Sequence, residues 1–102
     1  MLSVSVLPQA DNDLEQYFFY IAEDNPTVAS LFLDRVEETQ TLIAKFPKLG
    51  SIFKTEISEL VGIRWFPVKD FPKHLIFYIE DEAQIVIVRI LHKAQDISHI
   101  LS

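Results

Sequence analysis

Six residues of the second half, Arg64, Trp65, His74, Arg89, His92 and Lys93, are the side chains of this sequence best suited to act on a charged partner. Guanidinium groups stabilise phosphate charge, and an imidazole exchanges a proton near neutrality. Arg89 is the most demanding of them. It interrupts an apolar run, Ile85-Val86-Ile87-Val88 before it and Ile90-Leu91 after it, that reads as a strand covered on both faces. A guanidinium in such a run needs a carboxylate, a set of carbonyls or an open cleft, because an isolated buried charge costs several kcal/mol. Two readings follow for Arg89: a structural ion pair, or part of a functional surface.

Other chemistries lack their parts. His74, His92 and His99 have no H-x-x-x-H or H-E-x-x-H spacing, and there is no cysteine, so neither a metal centre nor a disulfide is expected. No serine sits in a G-x-S-x-G elbow, and the two separated glycines, Gly50 and Gly62, cannot build a phosphate-cradling loop. Nothing implies a cofactor or a catalytic residue.

The elements that must position these side chains can be read along the chain. Leu2 to Leu7 alternates as a short strand. Pro8 suits the first turn of a helix whose dipole Asp11, Asp13 and Glu15 complement. Its buried stripe is Ala10, Leu14, Tyr17, Phe18 and Ile21. Phe19 and Tyr20 fall beside that stripe, as the rim of a wide apolar face or as a partner site. Asn25-Pro26 caps and starts a second helix running to about Lys45, with Val28, Phe32, Val36, Ile43 and Phe46 inward. The pair forms an antiparallel hairpin closed by Pro47 to Gly50. A weak strand from Ile52 to Ile57 and a turn at Gly62 come next. Three clearer strands follow: Ile63 to Val68, with an edge or bulge at Pro67, then His74 to Ile79, then Gln84 to His92. Strict alternation would put Ile85, Ile87, Arg89 and Leu91 on one face of the last strand and Val86, Val88, Ile90 and His92 on the other. Lys69 to Lys73 reads as a loop. The expected fold is one α+β domain over residues 1–102: an N-terminal strand, an antiparallel helical hairpin on a largely antiparallel sheet of three to five strands, and a short C-terminal helical segment. The hairpin covers one face, and the opposite face is expected to be the functional concavity.

Composition narrows the class. With 49% apolar residues the chain can bury one core, and no stretch reaches the ~20 apolar residues of a membrane span. A soluble, cytoplasmic protein is expected. The net charge of −6 is uneven: residues 1–44 hold eight acids and one base, and residues 45–102 hold seven acids and eight bases. The −7 half repels a phosphate backbone, so no direct nucleic-acid binding is expected of the chain alone.

The sequence also resembles a family. G-I-R-W-F-P-V at Gly62 to Val68, H-L-I-F-Y at His74 to Tyr78, and I-V-R-I-L-H-K-A-Q-D-I at Ile87 to Ile97 are similar to plasmid-stabilisation toxins of the RelE/ParE superfamily, ParE branch. Asp13-Leu14, the run Tyr20 to Pro26 and the closing Ile100-Leu101 match the helical half and the end. The resemblance implies a growth-arresting toxin of a type II toxin–antitoxin system, neutralised by a cognate ParD-like antitoxin, with DNA gyrase as the expected target. It implies target contacts from Arg64, Trp65, Arg89, His92, Lys93 and Asp96. Phe19, Tyr20, Ile52 and Phe53 are the apolar groups available to the antitoxin. RelE-like members instead cut messenger RNA in the ribosome. By register Ala94 and Ile100 lie where those members carry arginine and tyrosine, so that activity would need a displaced set such as Arg64, Arg89, His92 and Lys93. Gln95 stands where an arginine often precedes the aspartate, which leaves a third reading, a non-toxic antitoxin-binding homologue.

Overall fold

A computed structural model describes residues 1–101. β1 (Ser3–Val6) leads into α1 (Pro8–Asp24) and α2 (Pro26–Lys45). β2 (Ser51–Ile52), a 3₁₀ turn at Ser58–Leu60, β3 (Arg64–Val68), β4 (Phe71–Glu80), β5 (Gln84–His92) and α3 (Ile97–Ile100) follow. The sheet order is β1-β5-β4-β3-β2, with β1 parallel to β5 and the other pairings antiparallel. This is the expected α+β architecture, with the second strand shortened to two residues. No helix is long and apolar enough to cross a membrane.

Local chemistry accounts for the helical hairpin. Pro8 and Pro26 each begin a helix, where a missing N–H costs nothing. The Asn25 side chain accepts the Val28 N–H at 3.1 Å, which lets one residue end α1 and cap α2. The hairpin buries Ala10 of α1 and Phe32, Val36, Ile43 and Ala44 of α2 against Ile76 and Tyr78 of β4 and Ile85, Ile87 and Ile90 of β5. Phe46, expected inward, is exposed because it already lies past the end of α2. Lys69-Asp70 alone makes the turn into β4, with Asp70 in the left-handed region at φ 66°, so β4 starts three residues earlier than expected. A register shift does fall between Pro67 and Val68.

The far face of the sheet is not a concavity. Ile63, Leu75, Phe77, Val88, Leu91 and Leu101 form a second buried cluster there, with Phe53, Leu60, Trp65, Ile97 and Ile100 packed against it. The C-terminal segment and the 53–63 connection therefore cover it. The Thr55 hydroxyl donates to the Leu101 carbonyl at 2.6 Å and ties the two covers together. The cause is in the strands: β4 and β5 are apolar on both sides, and a face so composed must be buried.

Alternation also fails inside β5. Phe77 pairs with Arg89 but Tyr78 pairs with Ile87, leaving Val88 as an extra residue. A bulge of this kind shifts the following side chains by one position. Ile85, Ile87 and Ile90 thus share the helix side, while Val86, Val88 and Leu91 share the far side.

The junction between α2 and β2 is held from beneath by Tyr78. Its buried hydroxyl donates to Pro47 O at 2.8 Å and accepts the Gly50 N–H at 2.8 Å. A Cβ at Gly50 would stand 2.6 Å from that hydroxyl and 2.8 Å from Trp65 O, so only glycine fits. Gly50→Ala is expected to lower stability by about 1–3 kcal/mol through overpacking. Tyr78→Phe is expected to cost about 1–3 kcal/mol by leaving the buried Gly50 N–H and the partly buried Pro47 carbonyl without their partner. Urea titration of both variants measures this, with the exposed Leu49→Ala as a near-neutral reference.

Candidate functional site

β5 is longer than its neighbour β1. The parallel ladder ends at Val6 opposite Ile87, with Leu7 N–H reaching Ile87 O at 3.0 Å, after which Pro8 turns the chain into α1. The outer edge of β5 beyond that point has no strand beside it. Two side chains of α1 take the strand's place. Asp13 Oδ2 accepts the Ile90 N–H at 3.0 Å, and the Tyr17 hydroxyl accepts the His92 N–H at 3.0 Å. The spacings agree: four helical residues rise ~6 Å and two strand residues ~6.8 Å.

Asp13 answers the question posed by Arg89. Arg89 Nε donates to Asp13 Oδ2 at 2.8 Å and Nη2 to Oδ1 at 2.9 Å, a bidentate pair with side chains 20% and 8% exposed respectively. Hydrogen bonding to the Asp13 carboxylate raises the Arg89 pKa and outweighs the lowering caused by burial, so the guanidinium stays charged. Of the two readings, the structure shows the ion pair. Asp13 carried a sequence signal that helix-dipole reasoning overlooked: it lies between Ala10 and Tyr17 on the buried stripe, where an acid is out of place without a partner.

At the end of β5 the rings of Tyr17, Phe32, His74 and His92 pack edge to face. Their centroids are 4.9 Å apart for Tyr17–His74 and Phe32–His74 and 4.8 Å for His74–His92. Burial first, then neighbouring His92, lower the His74 pKa from 6.5 to about 4. The chain then turns. His92 Nδ1 accepts the Ala94 N–H at 2.9 Å, and Gln95 Oε1 accepts the His92 N–H at 2.7 Å together with the Tyr17 hydroxyl. Gln95 therefore works as an acceptor, which an arginine at that position could not do.

The six expected target residues do not share one surface. Arg64 donates to Gly50 O at 2.7 Å on the helix side of β3, whereas Trp65 packs into the far-side cluster. Arg89 is engaged by Asp13. Asp96 caps α3 by accepting the His99 N–H at 3.2 Å. His92, Lys93 and Asp96 do come together at the end of β5, where Lys93 and Asp96 are exposed and the Lys93 N–H is held by Lys73 O at 2.8 Å. Nor do the four expected antitoxin residues form one patch. Phe19 and Tyr20 are 57% and 77% exposed on α1, and Ile52 is 54% exposed on the edge strand β2. Phe53 is half-buried, 5.5 Å from the Phe77 ring.

With this geometry established, comparison with known proteins is informative. The sequence family described as the ParE toxin of the type II toxin-antitoxin system, parDE, matches residues 4–97. The chain belongs to the ParE toxin family. No curated protein sequence matches it significantly. Among solved structures, it is similar to a chain of the chromosomal ParDE toxin–antitoxin system from P. aeruginosa, with a TM-score of 0.70 at 18% identity over 90% of this chain and 96% of that one. It is also similar to chains of two YoeB-YefM complexes from Staphylococcus aureus. Their TM-scores are 0.56 and 0.54 at 20% identity, covering 90% and 87% of this chain and 97% and 93% of theirs. At these identities the structural neighbours support the fold, and the sequence match carries the family.

Within this ParE-family chain, Asp13→Ala is expected to lower stability by about 3 kcal/mol, because it strands a partly buried guanidinium and the Ile90 N–H. Replacing both partners, Asp13→Leu with Arg89→Met, is expected to cost less than Asp13→Ala alone; chemical denaturation of the set checks this. His74 makes a second prediction. Its folded pKa lies below its unfolded value, so protons favour the unfolded chain. The stability it allows is complete above about pH 6.5 and is lost as pH falls towards 4. His74→Phe is expected to flatten that part of the pH–stability curve, read as urea midpoints of both proteins across this window.

Proposed function

We propose that this ParE-family toxin arrests growth by binding DNA gyrase, without chemistry of its own, and that a cognate ParD-like antitoxin neutralises it in the cytoplasm. The contact surface is the end of β5 and the turn after it, centred on His92, Lys93 and Asp96. Arg89 supports that surface through Asp13, and Arg64 and Trp65 steady β3 from its two opposite faces. The observation that carries a non-catalytic reading is the engagement of both arginines: Arg89 by a carboxylate, Arg64 by the Gly50 and Lys48 carbonyls at 2.7 and 3.4 Å. A ribonuclease using Arg64, Arg89, His92 and Lys93 would need those guanidinium groups gathered on one phosphate, with a base beside the 2′-hydroxyl. The antitoxin contacts Phe19 and Tyr20 on α1 and adds a strand at β2 beside Ile52, while Phe53 serves mainly the far-side core.

Purified toxin is expected to inhibit supercoiling by gyrase, and Lys93→Glu to weaken that inhibition about tenfold, of the order of a rim charge pair lost. Full supercoiling at saturating folded toxin overturns the proposal. Message ends mapped after induction provide the contrast: cuts within translated codons favour the ribonuclease. Unimpaired growth without antitoxin favours the non-toxic homologue.

A further inference from the structure

The exposed face of α1 carries two parallel rows at helical i, i+4 spacing: Asp11, Glu15, Phe19, Glu23 and Asn12, Gln16, Tyr20, Asp24. Every one of these residues is exposed, and α1 contains no lysine or arginine. None of the four acids has an ion-pair partner among the described residues. Like charges one turn apart destabilise a helix, and two large aromatic rings stand in water among them. Asp11 and Glu15 at the start of α1 favour its dipole, but Glu23 and Asp24 at its C-terminal end oppose it, and the exposed rings add nothing to the isolated chain.

Two open depressions run beside these rows and share Tyr20 and Ile21. One, of about 450 Å³, is completed by Gln16, Tyr17, His74 and His92. The other, of about 630 Å³, is completed by Glu23, Asp24, Asn25 and Val28. Together they make a groove along the last two turns of α1, aromatic at one end and acidic at the other.

We propose that this groove receives a basic amphipathic helix of the antitoxin, seating an apolar side chain against Tyr20 and its lysines or arginines against Glu23 and Asp24. This deepens the antitoxin reading above and rests on it. Charge complementarity selects the occupant. A cationic helix offsets the acidic end of α1 and gains cation–π contact with Tyr20. A second copy of this chain would bring the same acidic rows into opposition, at a net charge of −6 per copy. An acidic segment meets the same repulsion.

The test uses the full chain and the protein encoded by the reading frame beside its gene, with affinities measured by calorimetry at low and high salt. Glu23→Lys with Asp24→Lys is expected to weaken the complex at least ~10-fold, Tyr20→Ala about tenfold, and added salt to weaken the parent complex more than the charge-reversed one. Circular dichroism checks that these surface variants remain folded, and the milder Glu23→Gln is expected to give a smaller loss in the same direction. A complex that forms but is unchanged or tightened by charge reversal overturns the basic-helix assignment and leaves the antitoxin reading standing. Failure of the parent chain to form any complex overturns both.

Discussion

The carboxylate of Asp13 joins the helical and sheet halves of the molecule at one point. It accepts two hydrogen bonds from Arg89 and one from the backbone of Ile90, so it serves as ion-pair partner and substitute strand together. Taking two charges out of water costs several kcal/mol, and only full satisfaction of their donors and acceptors offsets that. The pair is better understood as fixing position than as adding net stability. With Asp13 on Ile90 and Tyr17 on His92, α1 cannot slide along β5 without losing both hydrogen bonds. The extra residue at Val88 belongs to the same arrangement, because it lies next to Arg89 and resets the alternation just before Ile90.

That anchoring determines what the end of β5 can present. The sheet is packed on both sides, by the hairpin and by the C-terminal segment with the 53–63 connection. Between these layers the last residues of β5 emerge into a turn held by Tyr17, Gln95 and Lys73. These hydrogen bonds fix the path of the turn and leave Lys93 and Asp96 exposed on it. Arg89 and Arg64 are both engaged within the fold, the first by the Asp13 carboxylate and the second by the Gly50 carbonyl.

The net charge is uneven: the helical hairpin is strongly acidic and carries exposed aromatics, while acids and bases balance in the sheet half. The fold itself does not choose between activities, for it is shared with chains of both ParDE and YoeB-YefM complexes.

Much of the architecture was legible from local patterning. The prolines and Asn25 mark both helix starts, period-two alternation assigns the faces of β3 and β4, and the run at β5 declares a strand buried on both sides. Family membership was foreshadowed by a resemblance carried by the motifs at Gly62 to Val68 and Ile87 to Ile97, and the family match over residues 4–97 establishes it. Pairing was not legible. Whether Val88 is in register depends on where β4 stops matching it, and whether Arg89 faces a partner or a carboxylate depends on where α1 crosses. The far face was misjudged as open because its cover comes from segments with weak patterns of their own. Propensity, capping and hydrophobic period are properties of neighbours along the chain, and this sequence determined them by itself. Register, ion pairing and the closing of a surface are set by which distant segments compete to bury the same groups, and only the tertiary structure decided those.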